Sequence, residues 1–162
     1  MHGNVSDKER DTMALKKKLK NEIGITLNYH KIGLIDTTKY FVNIVVYSYI
    51  SQDIRNNEKK YFKLSDEYNS NVNRLAELKQ KILNDNNDSE KLNDLDKETI
   101  LKEISSLEEN ISYVDEVNKN QYVFYMRKRE YVIDVDSDND ISLSYLYGKL
   151  KELDEFKDSE NC

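Results

Sequence analysis

The spacing of apolar residues changes twice along this chain, and that change limits the folds available to it. Apolar and polar residues alternate over residues 23–30 and 40–51, which is the two-residue period of a β-strand. Between about residues 52 and 118 the apolar residues recur every three or four positions, the period of an α-helix. Alternation returns over residues 121–135. The pattern predicts an α+β fold: a small antiparallel sheet interrupted by an inserted helical segment.

Residues 40–51 form the strongest predicted strand. Val42, Ile44 and Val46 share one face, whereas Val45 and Tyr47 lie on the other. A strand with large apolar side chains on both faces is either central in a sheet or half covered by a partner subunit. The preceding residues 31–38 contain a glycine and an aspartate, and we interpret them as a connection.

The inserted segment contains two apolar stripes of similar length on either side of a polar turn at residues 84–89. The second stripe is a heptad seam, made of Ile100, Ile104, Leu107, Ile111 and Val114. The economical interpretation is an antiparallel, coiled-coil-like helical hairpin about 30 Å long. The same heptads could instead pair between subunits, and the sequence leaves both arrangements open.

The C-terminal part combines a strand region with a short helix. Residues 127–130, an Arg-Lys-Arg-Glu run, indicate either a hairpin turn or an exposed sheet edge. Asp140 or Ser142 is a suitable N-cap for a last helix with an apolar stripe from Leu143 to Phe156. The expected organisation is a disordered N-terminus over 1–13, a β-rich body with its C-terminal helix over 14–52 and 121–157, the hairpin over 53–120, and a tail over 158–162.

The charge distribution limits the classes of partner. The chain has a net charge of -6, with acidic helical segments and mildly basic strand segments. That arrangement suits head-to-tail contacts between subunits, although the residue preferences of helices and strands also produce it. A basic patch dense enough for nucleic acid is missing from the sequence, and so is an apolar run of about 18 residues that could cross a membrane. Cys162 is the single cysteine, which excludes an intramolecular disulfide and suits synthesis in a reducing cytoplasm.

Residues that could support catalysis are scarce. His30 is placed at a strand end on the polar face, where a solvated or hydrogen-bonded histidine is the ordinary outcome. Cys162 is terminal, and the four glycines are too widely separated for a phosphate loop. The alternating aspartates of residues 134–140 fail as a calcium loop, because Asn139 replaces the required glycine and Tyr145 the required glutamate. We therefore expect no enzyme activity, no cofactor and no metal, with weak cation binding by the aspartate run as the alternative.

Tyrosine is unusually common, with 12 residues against four phenylalanines and no tryptophan. Tyr47, Tyr49, Tyr122 and Tyr125 cluster on two predicted strands. Tyrosine offers a large contact area with a polar tip and is enriched at protein interfaces. These four are candidate interface residues, and the alternative is that they are ordinary sheet residues.

The two ends of the chain resemble a known class of proteins. The start runs from Met13-Ala14-Leu15-Lys16 through Tyr29-His30-Lys31-Ile32, and the close contains Ser144-Tyr145-Leu146-Tyr147-Gly148-Lys149-Leu150. Over residues 13–52 and 121–162 this is similar to small tail or baseplate structural proteins of tailed phages that infect Gram-positive bacteria. The ending here lacks the proline found in that class, and the helical hairpin is additional.

The resemblance implies a non-enzymatic virion component that is made in the host cytoplasm and acts by self-assembly. Its expected partners are other copies of itself, with a trimer or hexamer favoured, and other virion proteins. An alternative from a different class is an inhibitor, encoded by a phage or another mobile element, that binds a host protein. In that role the acidic helical surface would imitate nucleic acid.

Overall fold

A computed structural model describes residues 13–38, 40–135 and 141–162, and it confirms the predicted α+β class. The predicted disordered segment 1–13 falls outside the described residues except for Met13. The elements in chain order are β1 (Leu15–Lys20), β2 (Thr26–Thr37), β3 (Phe41–Tyr49), α1 (Gln52–Asp66), α2 (Tyr68–Asn86), α3 (Asp94–Asn120), β4 (Arg127–Asp134), α4 (Leu143–Glu152), a 3-10 turn (Asp154–Phe156) and β5 (Glu160–Asn161). Two compact units result: a sheet unit, containing the chain up to Asn56 and from Val123 to Cys162, and a helical unit, Asn57–Tyr122.

The sheet has the strand order β4-β3-β2-β1-β5, and each neighbouring pair is antiparallel. The strongest predicted strand, β3, lies between β2 and β4, so its central position is confirmed. Val42, Ile44 and Val46 are buried on one face, the core face. Val45 and Tyr47 lie on the opposite face, called here the outer face, and are half-buried.

The core fills the space between the core face and α4. Ser142 begins α4, where its hydroxyl oxygen accepts a hydrogen bond from the backbone N–H of Tyr145 at 3.1 Å, as predicted for an N-cap; Asp140 lies outside the described residues. The apolar stripe of α4 packs against the buried residues of the strands, and its buried members are Leu143, Leu146, Tyr147 and Leu150. Burying each such leucine contributes about 1.5–3 kcal/mol.

The Tyr147 hydroxyl also joins α4 to the sheet. It accepts a hydrogen bond from the backbone N–H of Ile32 at 2.8 Å and donates one to the backbone oxygen of Met13 at 2.8 Å. Burial raises the pKa of this hydroxyl well above its usual value, so it remains protonated and able to donate. The hydroxyl thereby links β2 to the residues preceding β1.

The predicted connection at residues 31–38 is wrong, because most of it belongs to β2. Gly33 lies at a bulge between Ile32 and Leu34 instead of in a turn. The ring of Tyr47 covers this glycine so closely that an added Cβ would lie 2.1 Å from Tyr47 Cε2. The glycine therefore makes room for an aromatic side chain on the neighbouring strand.

The predicted tail at residues 158–162 is also wrong. Leu15 of β1 pairs with Asn161 of β5, and Ala14 and Cys162 exchange two backbone hydrogen bonds of 3.2 and 3.1 Å. Residue patterning identified neither β5 nor β1, whose sequence LKKKLK is mostly lysine. Both short strands are held by backbone pairing, which the side chains do not reveal.

The strand predicted over residues 121–135 begins only at Arg127. The run 127–130 is paired with β3, from Ser48 opposite Arg127 to Val45 opposite Glu130, so the hairpin-turn interpretation is wrong. The exposed-edge alternative is confirmed, because β4 is an edge strand of the sheet. Tyr131, Ile133 and Val135 face the core, as the alternation predicts.

In the helical unit α2 and α3 pack on each other as an antiparallel pair, and only Glu67 separates α1 from α2. The hairpin thus packs within the chain. Val114 of the seam is buried, whereas Ile100, Ile104, Leu107 and Ile111 are half-buried. Among the described helices, none has the length and apolar character required to cross a bilayer.

Candidate functional site

An apolar patch is exposed on the outer face of the sheet. We call the outer patch the set Leu34, Val45, Tyr47, Tyr125 and Val132. Leu34 and Val45 are directly opposite each other on β2 and β3, and Val132 of β4 is opposite Asn43, two residues from Val45. Leu34 is 55% exposed and Val132 is 66% exposed. The three aliphatic side chains therefore share one surface, on which the charged Glu130 of β4 is directly opposite Val45.

Two aromatic rings extend the outer patch. The ring of Tyr47 lies over Gly33 and meets Tyr125 edge-to-face, with a centroid separation of 4.8 Å and an interplanar angle of 61°. The Lys128 ammonium is 6.0 Å from the Tyr47 centroid, at the outer limit of a cation–π contact. The pairing restricts both rings, which lowers the entropy that a partner would have to remove.

The structure brings together only two of the four predicted interface tyrosines. Tyr49 is 2% exposed, packs edge-to-face against Tyr29 at 6.0 Å, and has the Arg55 guanidinium 6.0 Å from its ring. It is an interior residue and provides no contact area in this conformation. Tyr122 is about half exposed but belongs to the helical unit.

The sheet unit also contains a cavity of about 770 Å³, called here the basic pocket. Its walls are the end of β1 with the turn that follows it (residues 19–23), Met126 with the start of β4 (residues 127–129), and Glu155. These walls carry four basic side chains and two carboxylates. A volume of a few hundred to about 1,000 Å³ is typical of ligand pockets.

A charged cluster forms part of the pocket wall around Glu155. Arg127 and Arg129 both form ion pairs with this carboxylate, the second at 3.1 Å. The Tyr131 hydroxyl donates a 3.0 Å hydrogen bond to the same carboxylate, and burial together with Glu155 raises the pKa of Tyr131 to about 12. Two guanidinium groups therefore share one carboxylate, so the cluster keeps an excess positive charge.

His30 is a buried residue of the core face, and the prediction that it lies on a polar face is wrong. Its Nε2–H donates to the Lys17 backbone oxygen at 2.7 Å, and its Nδ1 accepts from the Ser48 hydroxyl at 2.7 Å. The ring meets Phe156 edge-to-face at 5.3 Å. Burial lowers the pKa of the imidazole, so it is neutral at pH 7. The sequence pattern failed here because β2 is covered on both faces at this point.

The helical unit contributes a second charged feature, the hairpin tip, defined as residues 85–98. It has six carboxylates and two lysines. Asp85 fixes its shape: this carboxylate accepts a 2.9 Å hydrogen bond from the Leu92 N–H and pairs with Lys97 at 3.0 Å. These contacts hold the pKa of Asp85 below its usual range. The Asn93 side chain caps α3 by accepting from the Asp96 N–H at 2.7 Å.

The aspartate run lies mostly outside the described residues, which include only Asp134 and Val135 of residues 134–140. Asp134 is exposed at the end of β4. Within the described ranges, no group of three or more histidine, cysteine, aspartate or glutamate residues is placed to hold a metal ion.

The basic pocket was missed by the sequence interpretation, although its main signal was visible. Arg127, Lys128 and Arg129 are consecutive, but they were interpreted only as a turn or an edge. The remaining walls come from residues 19–23 and from Glu155, more than a hundred positions apart along the chain. Only the fold brings them together.

Comparison with known proteins adds no relative. A scan against models of protein families found no match, and searches of curated proteins and of solved structures also found none.

Proposed function

We propose that this chain is a non-enzymatic assembly protein that acts by contacts between its own copies and with other proteins. Following the resemblance of its two ends, the proposed setting is the tail or baseplate of a phage virion. The outer patch is the observation that supports this proposal. The core face of the same sheet is covered by α4, whereas Leu34 and Val132 on the outer face are exposed.

An exposed sheet face with neighbouring aliphatic and aromatic side chains is typical of interfaces. Burying Leu34 and Val132 against another molecule would remove apolar surface from water, which favours association. The proposed occupant is a second copy of the chain, because closed symmetric association is the usual way to cover such a surface. The resemblance to phage-tail proteins favours three-fold or six-fold symmetry.

The β4 edge of the sheet is a poor alternative contact. The exposed edge strand β4 carries the charged residues Lys128, Arg129 and Glu130. Charged side chains on an edge strand disfavour pairing with another chain. Association is therefore proposed through the face of the sheet and not by adding strands to its edge.

Light scattering on the wild type and on the double substitution Leu34→Thr and Val132→Thr tests the proposal. We expect the wild type to exceed its 19.2 kDa chain mass and the variant to lose mass, with unchanged folding because both positions are exposed. The matched control is Ile50→Thr with Leu153→Thr, which also alters two exposed apolar side chains. Equal masses for the variant and the wild type would rule out this face as the contact.

A second candidate function is inhibition of a host protein. The helical unit supports it, since residues 57–122 contain fifteen acidic and ten basic side chains, a surface that could imitate nucleic acid. Mass spectrometry of purified particles separates the two candidates. A virion component is present at fixed stoichiometry, whereas an inhibitor is absent from the particle.

A further inference from the structure

We propose that copies of this chain also associate head to tail, with the hairpin tip of one copy occupying the basic pocket of the next. This inference rests on the proposed self-assembly and identifies a second contact for it. This second contact joins the acidic hairpin tip to the basic pocket, so it is distinct from the apolar contact through the outer patch.

The charges of the two surfaces are complementary. The walls of the basic pocket have four basic side chains against two carboxylates, and one of those carboxylates, Glu155, is already shared by Arg127 and Arg129. The hairpin tip has six carboxylates against two lysines. Complementary charge gives an association its specificity and accelerates the encounter of the partners.

The apolar parts of the two surfaces also correspond. Two apolar side chains line the pocket, Ile23, which is 77% exposed, and Met126, which is 38% exposed. On the tip, Leu95 is 73% exposed. Its helical neighbours Asp94 and Glu98 are one turn apart, so α3 presents a leucine beside two carboxylates. An exposed leucine with adjacent carboxylates is complementary to a pocket that is lined by apolar and basic side chains.

Hydrogen bonds within the chain hold the turn of the tip. Asp85 and Asn93 fix the turn and the start of α3 through hydrogen bonds to Leu92 and Asp96. A preorganised segment loses less conformational entropy on binding than a flexible loop. A contact between two different surfaces is heterologous, so it closes into a ring or continues as a filament. Both forms are compatible with a repeated component of a particle.

Charge reversal on each side provides the test. The tip variant is Glu90→Lys with Glu98→Lys, and its control is Glu109→Lys with Glu116→Lys, which makes the same charge change elsewhere on α3. The pocket variant is Lys20→Glu with Arg129→Glu, and its control is Lys18→Glu with Lys157→Glu. All eight side chains are exposed, and circular dichroism checks that every variant is folded.

Sedimentation at about 50 mM salt, where surface charges are weakly screened, measures the result. We expect the tip and pocket variants each to associate about tenfold more weakly than the wild type, and the two controls to associate normally. An equimolar mixture of the tip and pocket variants should recover the association, because the pocket variant keeps the wild-type tip and the tip variant keeps the wild-type pocket.

Two results would overturn the docking alone and leave self-assembly in place. The first is that the tip and pocket variants associate as strongly as the wild type. The second is that the equimolar mixture associates as weakly as either variant alone. A wild type that remains a monomer at every concentration would overturn both the docking and the proposed function.

Discussion

The sheet unit and the helical unit are stabilised in different ways. The sheet unit has a closed core, in which Ile44 and Leu146 are completely buried. In the helical unit the seam residues Ile104 and Leu107 are only half-buried, because two packed helices cannot enclose an apolar stripe. Hydrophobic burial therefore contributes most of the stability of the sheet unit and less of the stability of the helical unit.

Polar side chains link the two long helices of the helical unit. Arg74 pairs with Glu103 at 2.9 Å and Lys79 with Glu108 at 3.0 Å, while the Tyr68 hydroxyl donates to Asp115 at 2.7 Å. Exposed pairs of this kind contribute little to stability and weaken with salt. The sheet unit is therefore the more stable of the two, and the hairpin has more exposed apolar surface that a partner could bury.

Truncating one apolar side chain in each unit should change the free energy of unfolding by very different amounts. Leu146→Ala leaves a cavity in a closed core and should lower the free energy of unfolding by about 2–5 kcal/mol. Ile104→Ala removes a half-buried side chain, so its cost should be well below that. Urea unfolding, followed by amide signals assigned to each unit, measures both. Equal losses would show that the hairpin has a closed core of its own.

Gly33 provides a sharper test of the sheet unit. Gly33→Ala places a methyl group against the Tyr47 ring and should destabilise the chain by about 1–3 kcal/mol through overpacking. Adding Tyr47→Ser removes the clash, so the double variant should lose less than the sum of the two single losses. Strict additivity would mean that the two residues do not interact.

The pattern of the sequence predicted the elements that bury continuous apolar stripes and missed those that depend on pairing. β3, the hairpin and α4 were predicted because their side chains follow the correct period. β1 and β5 were missed since lysine-rich or very short strands have no such period. Gly33 was interpreted as a turn signal because only the neighbouring strand reveals Tyr47 above it.

The candidate site was less predictable than the fold for the same reason. Tyr47 and Tyr125 were correctly grouped, but the burial of Tyr49 depends on Tyr29 and Arg55, which surround its ring. The basic pocket joins segments at both ends of the chain, and sequence proximity contains no information about that arrangement.

The smallest expected effect is a difference in pH response. Burial lowers the pKa of His30 below its usual value of 6.5. As the pH falls towards that usual value and below it, the unfolded chain therefore binds a proton more readily than the folded chain does. The stability of the sheet unit should therefore fall as the pH decreases from about 7.5 to about 5.5. His30→Gln should abolish this slope in thermal melting, and a slope that persists in the variant would assign it to another group.

The helical unit should be insensitive over the same range. Hydrogen bonds lower the pKa of Asp85, chiefly from the Leu92 N–H, and that of Glu103, chiefly from Arg74. Their stabilising effect is complete above the usual pKa values of 3.8 and 4.5 and is lost only at lower pH. Amide exchange in α2 and α3 should therefore give the same protection factors at about pH 7.5 and about pH 5.5, after correction for the intrinsic exchange rate at each pH.

The proposed self-assembly uses the outer patch, with the tip-to-pocket contact as a second link. Light scattering of the wild type over a concentration series, at about 50 mM and about 500 mM salt, tests it most directly. We expect a multiple of the 19.2 kDa chain mass at both salt concentrations, smaller at the higher one, because salt screens the charged contact and leaves the apolar contact in place. A mass of 19.2 kDa at every concentration and in both salts would contradict the account.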